Sequence, residues 1–159
     1  MPTNKGIKSF NIVLVEPEIP QNTGNIIRLC ACTSANLYLV GALGFSLTSK
    51  YLKRSGLDYH DFVNVKRVVS LAELWDEFPN SNFYYFTTKT DKEHYTAPYK
   101  EGDFLVFGPE TRGLDESLLK EKKENCYTIP MIENRRSLNL SNSVAIVLYE
   151  AIRQNYGVV

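Results

Sequence analysis

Short apolar runs alternate along the chain with segments whose apolar residues recur at helical spacing. The runs predict strands buried on both faces, because they lack the polar alternation of a half-exposed strand. They cover residues 10–15, 36–40, 62–69, 82–88, 103–108 and 126–131. The helical segments cover residues 22–35, 50–55, 70–78, 115–123 and 140–156. This alternation predicts one α/β domain over residues 1–159, with a mostly parallel sheet flanked by helices.

Polar residues at the helix starts are the next feature of the pattern. Asn22 or Thr23 is expected to cap the first helix, and Ser70-x-x-Glu73 is a capping box for the third. The last helix has an apolar stripe that includes Val144 and Val147, but its start is crowded. Five Ser and Asn side chains fall within seven residues there, namely Ser137, Asn139, Ser141, Asn142 and Ser143. Capping uses at most two of them, so the surplus indicates side chains that hold a polar ligand.

Composition places the chain among ordinary globular proteins. Apolar residues make up 43% of its 159 residues and charged residues 23%. No apolar run approaches the ~20 residues of a membrane span, and residues 1–18 lack a secretory signal. We therefore expect a cytoplasmic protein without a membrane partner. The 18 basic residues balance the 18 acidic ones, which argues against general polyanion binding and against DNA as a partner.

Cysteine and histidine give no sign of a metal site. The three cysteines, Cys30, Cys32 and Cys126, form no CxxC motif, and the two histidines lack ligand spacing. We expect the cysteines to be small core residues. The sequence also contains no GxxxxGK[ST], no GxSxG and no GxGxxG after a strand. These absences count against a P-loop, a hydrolase nucleophile elbow and a dinucleotide site.

Three loops after predicted strands are candidates for chemistry, because ligands of open α/β sheets bind beyond the carboxyl ends of strands. Residues 16–28 could bind an anion at a helix start beside Arg28, or could simply form a well-capped helix. Residues 107–116 could admit a ligand to the backbone at Gly108, or could be a tight connection with surface charges. Residues 129–143 carry the surplus of polar side chains and favour a ligand site.

The order of these loops resembles the SPOUT superfamily of methyltransferases. The chain is similar to its small single-domain tRNA 2′-O-methyltransferases, which modify cytidine or uridine at position 34 of leucine tRNAs. The matching segments are VEPEIPQNTGNIIRLC, LKRSGLDYHDF, FGPETRGL and IPMIENRRSLNLSNSVAIVLYEAIRQ. The resemblance implies a deep C-terminal trefoil knot, a homodimer and a tRNA anticodon loop as partner. It also implies S-adenosylmethionine as methyl donor, S-adenosylhomocysteine as product and no metal.

The resemblance also implies roles for individual residues. The expected cofactor-binding residues are Phe86, Thr87, Gly108, Glu110, Gly113, Ile129, Met131, Ser137 and Leu138. The expected catalytic residues are Arg28, Asn25, Glu110, Ser137 and Asn139. The expected RNA-binding residues are Arg28, Lys53, Arg54, Arg135, Arg136 and Tyr149. A guanidinium is nearly always protonated, so we expect Arg28 to contact phosphate and stabilise a developing alkoxide rather than act as a base.

Three alternatives remain open at this point. The same chemistry could act on another tRNA position or on ribosomal RNA. A knotted dimer could bind S-adenosylmethionine or RNA without turnover. A nucleotide-binding oxidoreductase is the third alternative, against which the missing glycine spacing counts.

Overall fold

All six strands of the computed structural model join one parallel sheet, in the order β3-β2-β1-β5-β4-β6. The structure describes residues 6–48, 50, 54–62 and 64–157. The strands are β1 (Asn11–Val15), β2 (Asn36–Val40), β3 (Val65–Val68), β4 (Phe83–Phe86), β5 (Phe104–Phe107) and β6 (Cys126–Tyr127). The helices are α1 (Pro20–Thr33), α2 (Leu71–Glu77), α3 (Glu116–Glu121) and α4 (Leu140–Asn155). Short 3-10 helices span Tyr59–Phe62, His94–Thr96 and Lys123–Asn125.

The sheet is covered on both faces, which confirms the predicted α/β architecture. Side chains alternate along β1, so Ile12 and Leu14 pack with α1 and α4 while Val13 packs on the other side with Leu74 of α2. The predicted stripe of α4 is buried, and Val144 and the residues that follow it on that stripe face the first of these layers. No helix in the described part of the chain is long and apolar enough to cross a membrane.

Several element boundaries differ from the sequence prediction. α1 begins at Pro20 with Ile19 as N-cap, so the prediction of a cap at Asn22 or Thr23 was wrong. Ser70 caps α2 without a side-chain hydrogen bond, and Glu73 instead accepts from the Val69 amide at 3.3 Å. The strand predicted over 62–69 is shorter in the structure, where β3 covers Val65–Val68. A 3-10 helix at Tyr59–Phe62 occupies the start of the predicted range. β6 ends four residues before the predicted 131.

The short helix predicted over residues 50–55 falls largely on 51–53, which lie outside the described residues. Of the three cysteines, Cys30 and Cys126 are buried as expected, whereas Cys32 is exposed on α1.

The strand order creates a crevice at the carboxyl edge of the sheet. The first three strands occupy one half of the sheet and the last three the other, and β1 and β5 meet at the boundary. The loops after β1 and β5 therefore leave the same edge side by side, at the position where open α/β sheets bind ligands. The predicted trefoil knot stays a prediction.

Candidate functional site

A cavity of about 520 Å³ opens at this carboxyl edge. Its walls come from the segments that follow β4, β5 and β6, together with the first turn of α4. The volume lies within the ~300–1,000 Å³ that is usual for small-molecule sites. All nine predicted cofactor-binding residues line it: Phe86, Thr87, Gly108, Glu110, Gly113, Ile129, Met131, Ser137 and Leu138.

The cavity offers apolar walls and free backbone donors side by side. Phe86 and Phe107 stack on each other at its inner end, with ring centroids 4.8 Å apart and planes 18° from parallel. The backbone N–H groups of Ile129 and Met131 donate no hydrogen bond within the described ranges. A flat heteroaromatic ligand needs such a combination, because its faces are apolar and its edges require donors and acceptors.

Gly108 is required by the protein's own backbone, which differs from the reason expected from the sequence. A Cβ at Gly108 would lie 2.4 Å from the carbonyl carbon of Gly113 and 2.4 Å from the nitrogen of Leu114. The loop therefore folds back onto Gly108, and the Gly113 N–H donates to the carbonyl of Pro109 at 2.9 Å to close it. Gly113 itself adopts φ +69° with open space beside it, so its glycine serves the turn.

A hydrogen-bonded chain of side chains joins three sequence-distant segments under the cavity. Asn139 caps α4 by accepting from the N–H groups of Ser141 (2.9 Å) and Asn142 (3.3 Å). Its amide nitrogen donates to Asn22 Oδ1 at 3.0 Å. The Asn22 amide nitrogen in turn donates to Glu110 Oε2 at 3.2 Å. Asn139 therefore both caps α4 and binds Asn22, which explains part of the surplus of polar side chains before α4.

The Glu110 carboxylate binds the backbone of the two residues that precede α1, which lie 92 and 91 residues earlier in the chain. Its Oε1 accepts from the Glu18 N–H at 2.8 Å, and its Oε2 accepts from the Ile19 N–H at 2.8 Å. A carboxylate is favourable at a helix N-terminus, because the first amides of a helix have no partners within the helix. Both oxygens of Glu110 are thus engaged with the two residues that lead into α1, and Oε2 also with Asn22 in its first turn. This geometry makes Glu110 a positioning group and leaves it poorly placed to accept a proton from a substrate.

Asn22 is a site residue that the sequence reasoning missed. Its side chain is 5% exposed and lines the cavity, but the sequence reasoning had assigned it to helix capping. The neighbouring Asn25, which was expected to be catalytic, is exposed on α1 and does not line the cavity. Sequence spacing alone could not show which of the two asparagines faces the cavity.

Arg28 also lies outside the cavity wall. It is exposed, and its guanidinium donates to the carbonyl of Ser55 at 2.8 Å. It lies six residues beyond Asn22, which is about 9 Å along the axis of α1.

The residues expected to bind RNA differ in whether they line the cavity. Arg136 lines it, whereas Arg54 and Arg135 are exposed residues outside its wall. Tyr149 is 49% exposed on the outer face of α4. Lys53 lies outside the described residues.

Two further cations line the cavity mouth. Lys89 pairs with Glu116 at 3.1 Å and Arg112 with Glu16 at 3.4 Å, and all four side chains are substantially exposed. Such exposed pairs contribute little to stability.

Within the described ranges, no group of three or more His, Cys, Asp or Glu side chains is placed to hold a metal ion.

A parallel α/β sheet with a ligand-sized cavity at its carboxyl edge, bordered by cationic side chains, is typical of a protein that binds an anionic or polar small molecule. Comparison with known proteins narrows this class. The model of the SpoU rRNA Methylase family matches residues 9–149, and the chain belongs to this family. It is a methyltransferase with the SPOUT fold, as the resemblance implied.

Individual relatives give the same picture. A tRNA (cytidine(34)-2′-O)-methyltransferase of Methylovorus glucosotrophus (strain SIP3-4) is 50% identical over 151 residues, which cover 92% of this chain and 96% of that protein. A solved structure described as giving structural insights into the 2-OH methylation of C/U34 on tRNA is 41% identical, with a TM-score of 0.86 and coverage of 94% and 97%. The SpoU methyltransferase AviRb from Streptomyces viridochromogenes, in complex with the cofactor AdoMet, is 25% identical with a TM-score of 0.76, and the match covers 97% of this chain and 63% of that one.

Proposed function

We propose that this chain transfers the methyl group of S-adenosylmethionine to the ribose 2′-hydroxyl of nucleotide 34 in tRNA, with S-adenosylhomocysteine as product. Cytidine and uridine are the proposed nucleotides and leucine tRNAs the proposed substrates. The observation that carries the proposal is the single cavity wall shared by all nine expected cofactor residues. The names of the relatives that are about half identical support position 34 and the 2′-hydroxyl.

The residues of the cavity fit S-adenosylmethionine. The free N–H groups of Ile129 and Met131 suit the edge of an adenine ring, and the apolar faces of Phe86 and Leu138 suit its plane. Ser137 and Thr87 offer hydroxyls for the ribose, and Arg136 offers a cation for the carboxylate end of the molecule. When bound, S-adenosylmethionine supplies a methyl group already activated by the sulfonium charge.

Arg28 is proposed to contact the RNA rather than the donor. It is exposed and lies about 9 Å along α1 from the cavity residue Asn22. A guanidinium in this position can bind the phosphate beside nucleotide 34 and stabilise negative charge as the 2′-hydroxyl loses its proton. Asn25 lies on the same exposed helix and is proposed to orient the ribose with it.

The remaining residues of the proposed catalytic set act from the cavity wall. Asn139 and Glu110 hold α1 and the start of α4 in one geometry through Asn22. Ser137 lines the cavity beside them and is proposed to contact the reacting groups. Alignment of the two reactants is a large part of such catalysis, because a methyl transfer needs the acceptor oxygen in line with the breaking bond.

A cytoplasmic homodimer is the proposed form of the enzyme. Ile146 and Tyr149 are 39% and 49% exposed on the outer face of α4, which packs beside α1. An exposed isoleucine and tyrosine one turn apart suit a helix–helix interface, although Tyr149 is also a proposed RNA contact. Arg54, Lys53 and Arg135 are proposed to add phosphate contacts for the anticodon loop, whose splayed bases are a common target of RNA-binding proteins.

The test is methyl transfer from tritiated S-adenosylmethionine to total tRNA and, in parallel, to ribosomal RNA. Label at the 2′-oxygen of nucleotide 34, located by mass spectrometry, is the expected result. Label in ribosomal RNA alone would favour ribosomal RNA as the substrate, the alternative that the name of the matching family supports. Binding of S-adenosylmethionine without label in either RNA would contradict the proposed catalysis.

A further inference from the structure

The loops after β1 and β5 are joined by two carboxylates that each bind the backbone of the other loop. Glu110, in the loop after β5, accepts from the N–H groups of Glu18 and Ile19. Glu18, in the loop after β1, accepts from the Thr111 N–H at 2.9 Å and from the Thr111 hydroxyl at 2.8 Å. We call these contacts of Glu18, Ile19, Glu110 and Thr111 the reciprocal clamp.

The two loops that the clamp joins serve different reactants of the proposed reaction, the methyl donor and the RNA. The loop after β5 runs from Gly108 to Gly113 and lines the donor cavity. The loop after β1 leads into α1, whose exposed face carries Arg28. The only connection between these two loops along the chain passes through more than eighty residues, so their relative position depends on tertiary contacts such as the clamp.

The groups around Glu18 favour its ionised form. The hydrogen bonds from Thr111, followed by the nearby Arg112 guanidinium, hold the pKa of Glu18 below its ordinary value. The Arg112 side chain also pairs with Glu16 in the same loop as Glu18. Charged acceptors make shorter and stronger hydrogen bonds than neutral ones, so the ionised form of Glu18 suits this role.

We infer that Glu18 and Thr111 are positioning residues for the methyl transfer, and that the reciprocal clamp fixes the donor loop against the helix that presents Arg28. This inference rests on the proposed function. Glu18 and Thr111 need not touch the reacting atoms. Their contribution is to keep the loop from Gly108 to Gly113 in the geometry that binds the donor, and to keep α1 at a constant distance from it.

The test compares Glu18→Gln, Thr111→Val and the double variant with wild type by calorimetry with S-adenosylmethionine and by steady-state kinetics with tRNA. Thr111→Val removes the hydroxyl but leaves the N–H, and Glu18→Gln removes the charge. Each single variant is expected to weaken donor affinity about tenfold, the order seen when partners in one hydrogen-bond network are uncoupled. The double variant should lose less than the sum of the two single losses, because both changes weaken the same contact between Glu18 and Thr111. Thr111→Ser keeps the hydroxyl and should bind like wild type.

Glu150→Gln is the matched control for a loss of stability alone. Glu150 also accepts several hydrogen bonds, from Arg153 at 2.9 and 3.0 Å and from Gln154, but it lies in the C-terminal half of α4 and does not line the cavity. Its variant should lower the melting temperature and leave donor affinity unchanged.

Wild-type donor affinity in both Glu18→Gln and Thr111→Val, or additive losses in the double variant, would overturn the inference. A wild-type protein that binds no S-adenosylmethionine would overturn the proposed function first, and the inference with it. A wild type that binds the donor and methylates tRNA, combined with unaffected clamp variants, would overturn the inference alone.

Discussion

Replacement of Asn139 by Ser and by Ala should lower the free energy of unfolding by two different amounts, because its side chain makes two separable contacts. Ser keeps a hydroxyl that can cap α4 but loses the amide that donates to Asn22 Oδ1. That oxygen has no other partner among the described residues, and Asn22 is buried, so leaving it unpaired costs ~1–3 kcal/mol. Ala also loses the cap, which adds ~0.5–2 kcal/mol.

The measurement is urea unfolding followed by the fluorescence of Trp75, at one fixed protein concentration because a dimer would make stability depend on concentration. Asn142→Ala is the matched control, since Asn142 is exposed in the same helix turn and should change stability by no more than ~0.5 kcal/mol. The reasoning is refuted if Asn139→Ser is as stable as wild type, or if Asn139→Ala loses no more than Asn142→Ala.

Three further predictions concern a backbone contact, a charge and a buried imidazole. Gly108→Ala should be strongly destabilising because its Cβ would meet backbone atoms at 2.4 Å, whereas Gly113→Ala, with φ +69° and open space, should cost only ~1–2 kcal/mol; equal melting temperatures would contradict this. Arg28→Ala should abolish methyl transfer to tRNA while leaving the affinity for S-adenosylmethionine in calorimetry unchanged, and Arg28→Lys should restore only part of the transfer; intact transfer in the alanine variant would remove Arg28 from the proposed mechanism. Burial lowers the pKa of His94 below its ordinary 6.5, so the unfolded chain takes up a proton as the pH falls through 6.5, whereas the folded state takes it up only at a lower pH. Stability is then full above pH 6.5 and falls below it, by at most ~1.4 kcal/mol per pH unit from this group. In urea unfolding at pH 7.5 and 5.5, His94→Phe should reduce that fall and the exposed-site control His60→Gln should retain it; a fall of the same size in both variants would exclude His94 as its source.

The residues that the resemblance assigned to the site lie partly on the cavity wall and partly outside it. The nine expected cofactor residues come from four segments spread between Phe86 and Leu138, and the fold brings them to one wall. The expected catalytic residues divide between two places: Glu110, Ser137 and Asn139 line the cavity, whereas Asn25 and Arg28 lie on the exposed face of α1. Sequence motifs preserve which residues matter together, but they do not contain the distances between them.

The pattern of the sequence by itself determined the order of strands and helices, the fold class and the start of α4. Unbroken apolar runs can be satisfied only inside a covered parallel sheet, and Asn139 caps α4 through amides that are its own neighbours in the chain. Each of these outcomes depends on local interactions or on burial, which a linear pattern records.

Only the tertiary structure decided where α1 begins, why residue 108 is a glycine and which asparagine faces the cavity. The N–H groups of Glu18 and Ile19, which lead into α1, donate to Glu110 from the loop after β5, so a tertiary contact holds the chain where it enters the helix at Pro20. Gly108 is required by a loop that folds back onto it. The physical reason is common to all three. Hydrogen bonds and steric contacts depend on separation in space, and pairs such as Glu18 with Thr111 meet only after the chain between them has folded.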